Sequence, residues 1–187
     1  YSVTVFQTCA LPFCCGYGRP VPAVLDTVRA LRGIPLVCGE LINPYRTSEV
    51  TPLAPFTKAA LLRRSLDATG GVLVYDRLPM DGRCWTAIAE TTRLVAAFED
   101  AFLKGERREL GSLPPDAIQA VHAPMGILLC VLNGGSSPVE YRIPTPAEWG
   151  SGRAYYGGSA VAAGDEVVCR LPPGEAEVYV FNRSAQP

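Results

Sequence analysis

Histidine is all but missing from this chain: His122 stands alone among 187 residues. A Cys–His or Ser–His nucleophile pair would have to be built on that one ring. Its place two residues before Pro124, at the entry to a predicted strand, suits a structural histidine better. Basic charge is not in excess either. Lys and Arg number 17 against 18 Asp and Glu, the formal net charge is -1 and the pI is near 5.9. That balance excludes the basic footprint which a nucleic-acid partner demands. No apolar run reaches the roughly 20 residues that a membrane-spanning helix needs, and no signal peptide is visible. The adjacent Cys14 and Cys15 have no second pair at zinc-binding spacing. The seven cysteines, an odd number, therefore read as reduced thiols in a cytoplasmic protein that needs no metal or other cofactor. Cys38 and Cys130 sit inside apolar runs, where a free cysteine behaves as a small hydrophobe, and neither is expected in a disulfide. Internal repeats and low-complexity tracts are also lacking. The first residue is Tyr1 rather than Met, which leads to the expectation of a piece of something longer.

What is present is material for a core. Hydrophobic residues make up 48% and charged residues 19%, enough for one domain and a small second one. The opening "YSVTVFQTCALP" has the β-branched and aromatic composition of a strand, near residues 2–8. Pro12, Gly16, Gly18 and Pro20 then predict a loop. In "VPAVLDTVRALRG" the residues Val21, Val24, Leu25, Val28 and Leu31 recur at helical spacing, with Gly33 as the stop. The strand "IPLVCGE" follows, near 34–39, then a proline-rich loop over 43–55. "FTKAALLRRSLDATG" predicts a helix whose buried face is Phe56, Ala59, Ala60, Leu62 and Leu66. "GVLVYD", near 71–76, is apolar until Asp76, the pattern of a strand buried on both faces. One long helix is predicted over 84–104, with Trp85, Ile88, Ala89, Thr92, Val95, Ala96, Phe98, Phe102 and Leu103 as its buried stripe and Gly105 as its end. Three strand–helix units in succession are the rhythm of parallel strands with right-handed crossovers.

After Pro114 the rhythm changes. "AIQAVHA", "GILLCVLNG", "VEYRIP", "RAYYGG", "EVVCRLP" and "AEVYVFN" are short strand-like runs separated by turn residues such as Asn133-Gly134-Gly135 and Pro172-Pro173-Gly174. They predict an antiparallel sandwich. "GERRELGSLPPD" reads as the linker. The expected fold is thus α/β plus all-β, with residues 1–110 forming the α/β domain and 111–187 the β-sandwich.

The stretch "IPLVCGELINPY" places Glu40 where a buried strand surfaces. Strand ends are where barrel enzymes keep their catalytic acids, although a strand must also end in something polar. "PLVCGELINP" resembles the seventh barrel strand of retaining glycosidases in the large superfamily that includes the β-galactosidases. "DATGGVLVYDRLPMDGRCW" resembles their eighth strand and its loop, and "WTAIAETTRLVAAFEDAFLKGERR" their last barrel helix. "GILLCVLNGGSSPVEYRIP" and "GEAEVYVFN" resemble strands of the C-terminal sandwich that follows. The resemblance covers nearly the whole chain and is one of ordered pattern. It implies the C-terminal part of a (β/α)8 barrel, about three βα units, followed by a β-sandwich. It also implies that Glu40 is the nucleophile, at the tip of its strand. Asp76, Arg77 and Trp85 then fall at the sugar-binding rim, Gln7 and Thr8 at the end of the sixth strand, and Tyr45 and Arg46 in the loop beside the glutamate.

Such glycosidases need two carboxylates, and in this superfamily the acid/base belongs to the fourth barrel strand. A chain that starts at the sixth strand has no such residue. A carbohydrate substrate is therefore expected together with a further segment or subunit that completes the barrel. The plainer alternatives stay open beside these roles. Glu40 can be a solvated strand-end carboxylate, Asp76 can pair with Arg77 or Arg83, and Trp85 can simply pack. Tyr155 and Tyr156, next to glycines, are strand aromatics or a carbohydrate-binding face. Two functions from different classes remain: an enzyme portion, and a non-catalytic module that binds carbohydrate or supports a partner.

Overall fold

The computed structural model describes residues 13–15, 37–41, 57–67, 71–75 and 82–182, and describes side chains within 57–67 and 82–182. Strands β1 (Phe13–Cys15), β2 (Val37–Leu41) and β3 (Gly71–Tyr75) form a parallel sheet in that order. β2 and β3 lie where the apolar runs predict them. β1 lies where a loop was expected, and the reason is local. Pro12 and Gly16 punctuate the chain, but three residues fit between them, and breakers mark the ends of an element rather than its absence. The strand expected near 2–8, the helix expected over 21–33 and the loop over 43–55 lie outside the described residues.

Helix α1 (Lys58–Asp67) begins where Thr57 Oγ1 accepts the Ala60 N–H at 3.2 Å, so the threonine satisfies one of the helix's orphan donors. Its buried residues are Ala59, Leu61, Leu62 and Leu66. Leu61 was not on the expected face, and Ala60 is only half-buried. The helix has two partners, which widens its apolar arc: Leu61 packs with Cys84 and Ala87, while Ala59, Leu62 and Leu66 pack toward the antiparallel sheet.

The long helix expected over 84–104 is two helices, α2 (Gly82–Ala97) and α3 (Glu99–Lys104), broken at Phe98 with φ -126° and ψ 31°. No proline or glycine announces this break. The Phe98 ring meets Tyr155 edge-on at 5.7 Å, and the change of direction sends Ala101 and Phe102 into the core. The buried face of α2 is Cys84, Ala87, Thr91 and Leu94, one residue out of phase with the expected stripe. Trp85, Ala89, Thr92 and Ala96 are exposed instead. Both sets recur at 3- and 4-residue spacing, so periodicity alone cannot choose between them. Gly105 ends α3 as expected. A Cβ there would collide with the Ala101 carbonyl and the Val121 side chain, so glycine lets the helix end lie close on the sheet.

The remaining strands pair antiparallel. β4 (Glu106–Arg108), β5 (Ile118–Ala123), β6 (Gly126–Leu132), β7 (Val139–Pro144), β8 (Gly152–Ala154), β9 (Ala160–Val161), β10 (Glu166–Leu171) and β11 (Ala176–Phe181) follow in chain order. They make a six-stranded sheet in the order β4-β5-β6-β11-β8-β9 and a two-stranded sheet, β10-β7. β4 uses residues read as linker. Tyr155 and Tyr156, read as strand residues, form the turn after β8.

Every residue of β6 is buried. Alternation explains how. Ile127, Leu129 and Val131 face one core, shared with Ile143 of β7 and Val167 and Cys169 of β10. Leu128, Cys130 and Leu132 face a second core, shared with Leu62, Leu66, Leu94 and Phe102 of the helices. Successive side chains point to opposite faces of a strand, so a strand that is apolar throughout needs cover on both sides. The two-stranded sheet covers one face and α1–α3 cover the other. Cys130 is a free thiol in the second core, and burial pushes its pKa up to about 12, which makes it an inert hydrophobe. No helix among the described residues is long and apolar enough to cross a membrane.

Asn133, at the end of β6, ties these layers together. Its side-chain nitrogen faces the carbonyls of Ser137, Leu171 and Pro172 at 2.9–3.0 Å, and its Oδ1 accepts the Gly135 N–H. Its backbone carbonyl accepts the Gly174 N–H at 2.8 Å, and the Gly174 carbonyl accepts the Ala59 N–H of α1 at 2.9 Å. Gly174 has φ 77°, and a Cβ there would strike Thr57. Glycine is thus required twice over where the β10–β11 turn meets the start of α1. Asn133→Ala leaves several buried groups without partners and should destabilise the fold by about 3 kcal/mol, at 1–3 kcal/mol for each unsatisfied group. Asn133→Asp should cost more at neutral pH, because it turns a carboxylate oxygen toward three carbonyls. Urea unfolding of both variants checks the order.

Candidate functional site

The parallel sheet fixes which strand ends share a rim. Glu40 is the penultimate residue of β2 and stands in register with Val74 of β3. Gly39, before it, is in register with Cys15, the last residue of β1, and Tyr75, the last of β3, pairs with Leu41. The C-terminal ends of all three strands therefore lie together, and the backbone of Glu40 lies among them. This is the end of a parallel sheet at which α/β barrels carry chemistry. Gln7, Tyr45, Arg46, Asp76 and Arg77 lie outside the described residues, as does Thr8. Trp85 is described: it lies in the first turn of α2 and is 57% exposed. It is therefore not part of the packed stripe.

Between the start of α1, the first turns of α2 and the β10–β11 turn lies an open cleft of about 330 Å³ that sequence reading missed. Lys58 Nζ lies 2.6 Å from Glu90 and 2.9 Å from Glu175, and 4.4 Å from the centre of the Tyr156 ring. Burial works against the Lys58 charge, but hydrogen bonds to Glu90 and Glu175 and their negative charge outweigh it and raise its pKa above the ordinary 10.5. Burial is also the main cause of the raised pKa of Tyr156, helped by the Glu90 charge. One ammonium ion thus joins α1, α2 and the β10–β11 turn. Both carboxylates are taken by it, which is the arrangement of a staple rather than of an acid and a nucleophile. Lys58, Glu90 and Glu175 are about 30 to 120 positions apart in the sequence, and nothing local marks them as neighbours. Among the described residues no group of three or more His, Cys, Asp or Glu side chains is placed to hold a metal ion. His122 is half-buried in β5, its ring edge-on to Trp149 at 5.8 Å, a packed position.

A third feature is the turn after β8. The Glu177 carboxylate accepts N–H bonds from Tyr156, Gly157 and Val178 at 2.8–2.9 Å. Tyr155 donates its N–H to the Val178 carbonyl at 2.7 Å. The Tyr155 ring, 37% exposed, rests edge-on against Phe98 and against Tyr156 at 5.0 Å. An aromatic side chain is thereby held at the surface on a turn that has few ways to move.

Comparison with known proteins bears on the fold. No family model and no curated protein matches the chain. Among solved structures it is similar to the α-amylase of Geobacillus thermoleovorans complexed with acarbose, with TM-score 0.63 and 12% identity over 89% of this chain and 44% of that one. It is similar to AmyP in complex with maltose, with TM-score 0.63 and 15% identity over 89% of this chain and 45% of that one. It is also similar to a GH30 endoxylanase from Clostridium papyrosolvens C71, with TM-score 0.52 and 13% identity over 91% and 48%. These are glycoside hydrolases built on (β/α)8 barrels. At such identities the likeness is one of fold. The chain spans less than half the length of each of these structures.

The Lys58 cluster gives a pH signature. The folded-state pKa is raised, so the contribution of Lys58 to stability is complete below the unfolded value of 10.5 and is lost as pH rises through the folded one. The stability gap between wild type and Lys58→Met should therefore stay constant from about pH 7 to about pH 10 and shrink above that. Urea midpoints of the two proteins across this range test it.

Proposed function

We propose that this chain is the nucleophile-bearing portion of a retaining glycoside hydrolase of the β-galactosidase-like superfamily, and that Glu40 is the nucleophile. The observation that carries the proposal is the position of Glu40, next to last in β2, at the C-terminal rim of a parallel sheet whose fold is similar to glycoside hydrolase barrels. In this reading the part expected over 1–110 is the C-terminal end of the barrel as far as Gly105, and the β-sandwich expected over 111–187 begins earlier, with β4 from Glu106. Gln7, Tyr45, Arg46, Asp76, Arg77 and Trp85 line the sugar site.

The chemistry needs two carboxyl groups about 5–5.5 Å apart. The Glu40 carboxylate attacks the anomeric carbon as the bond to the leaving oxygen breaks, and an acid supplied by another part of the barrel protonates that oxygen. The same group then takes a proton from water, which attacks the anomeric carbon and releases Glu40.

A second reading is favoured by the fixed, exposed ring of Tyr155. Apolar faces of sugars pack on aromatic rings, so the β half serves as a carbohydrate-binding module and the α/β half as its support. The two readings separate by experiment. In the full-length polypeptide, Glu40→Gln should leave folding unchanged and remove most hydrolysis of aryl glycosides, because the amide cannot form the glycosyl–enzyme bond. Equal rates remove Glu40 from the mechanism. In that event, binding of soluble oligosaccharides that Tyr155→Ala weakens would support the module.

A further inference from the structure

Phe98 belongs to two surface features at once. Its ring meets the exposed Tyr155 ring edge-on at 5.7 Å. It also lines an open cleft of about 530 Å³ at the break between α2 and α3, a size that takes a small ligand. Phe98 and the β5–β6 turn residues Pro124 and Met125 give the cleft an apolar lining, and Glu99, Asp100 and Lys104 give it a polar one. Met125 and Glu99 are exposed. Lys104 Nζ is taken by Asp100 at 2.8 Å, so the three charges sum to one negative charge and the Glu99 carboxylate is left facing solvent. None of these residues belongs to β1, β2 or β3, and the site is therefore apart from the rim that bears Glu40.

We propose that Tyr155, Phe98 and this cleft form one binding site for a neutral oligosaccharide, with a sugar unit stacked on the Tyr155 ring and the next unit or units in the cleft. This inference rests on the carbohydrate reading of Tyr155 and stands whether or not Glu40 is a nucleophile. A sugar ring has an apolar C–H face and an edge of hydroxyl groups, and the site offers both partners. Aromatic and apolar surface suits the face. The Glu99 and Asp100 carboxylates accept hydrogen bonds from hydroxyls, and bonds to ionised groups are the stronger kind. The net negative charge of the cleft disfavours a uronic or sulfated sugar, which is why the ligand is neutral. The site is also built before the ligand arrives. Tyr155 donates its N–H to the Val178 carbonyl at 2.7 Å, and Glu177 accepts the N–H groups of Tyr156 and Gly157, so little order has to be imposed on the platform when a sugar binds.

The test is calorimetric titration of the 187-residue chain with maltohexaose, cellohexaose and xylohexaose as neutral probes and hexagalacturonate as the anionic one, up to millimolar concentration. Tyr155→Ala, Tyr155→Phe, Glu99→Ala and Met125→Ala are the variants; all three positions are exposed, and thermal unfolding checks that each variant folds. The expected result is binding of at least one neutral hexamer, weakened about tenfold by Tyr155→Ala and by Glu99→Ala, the loss that goes with one stacking contact or one hydrogen bond to a charged group. Met125→Ala should weaken it several-fold and Tyr155→Phe should leave it nearly unchanged, because the ring and not its hydroxyl carries the contact. The corresponding disaccharide should bind more weakly than the hexamer. Binding that Tyr155→Ala weakens while Glu99→Ala and Met125→Ala do not overturns the joint site and keeps the ring as a platform by itself. No binding of any neutral hexamer overturns the site together with the carbohydrate reading of the β half. Binding that none of these variants alters but Glu40→Gln does places the sugar at the rim and overturns the site, and a preference for hexagalacturonate overturns the neutral class.

Discussion

Strand β6 is the constraint on which the rest depends. All seven of its residues are buried, and a strand can be buried along its whole length only when both faces of its sheet are covered. One cover is the β10–β7 pair. The other is not a sheet at all but the helices α1–α3, through Leu62, Leu66, Leu94 and Phe102. A fully buried Leu or Ile side chain is worth roughly 1.5–3 kcal/mol relative to exposure. Stripping the helices from β6 would expose Leu128, Cys130 and Leu132 together, a loss comparable with the whole stability of a small domain. The antiparallel half of the chain therefore has the helices of the α/β half as part of its own core.

This coupling positions the strand ends. α1 follows β2 in the chain and packs on β2, β3 and β6. Its start is held by the Ala59–Gly174–Asn133 hydrogen-bond chain and by Lys58 between Glu90 and Glu175. The core contacts resist sliding of the helix, while the polar contacts fix its register against the β10–β11 turn. The helix that returns from the Glu40 strand is thus anchored on the β half. The rim bearing Glu40 is thus backed by a helix that the β half holds in place.

Much of this was legible in the sequence, and the failures have a common cause. The runs over 71–75, 118–123, 126–132 and 176–181 gave their strands away by composition, and Gly105 marked its helix end. Three features were not legible. Phe98 breaks a helix without a breaker residue, because its ring finds Tyr155 some 60 positions later. The buried face of α2 was read one residue out of phase, because both faces carry an apolar pattern and only the tertiary partner decides. Asn133 read as an ordinary turn residue, since its three carbonyl partners come from two other segments. In each case the deciding contact is far away in the chain. The site divides the same way: the strand-end position of Glu40 follows from local pattern, while the Lys58 staple, built from three elements, left no local trace.

The central functional claim is that the Glu40 carboxylate becomes covalently bonded to the sugar. A retaining mechanism passes through such a glycosyl–enzyme, and a 2-deoxy-2-fluoro glycoside with a good leaving group slows its breakdown enough for it to be captured. The decisive measurement is peptide mass analysis of the full-length polypeptide after incubation with such reagents. The account predicts one adduct, on the peptide that contains Glu40, and none in the Glu40→Gln variant. An adduct on a different carboxylate, or turnover of aryl glycosides with no adduct on that peptide, would contradict it.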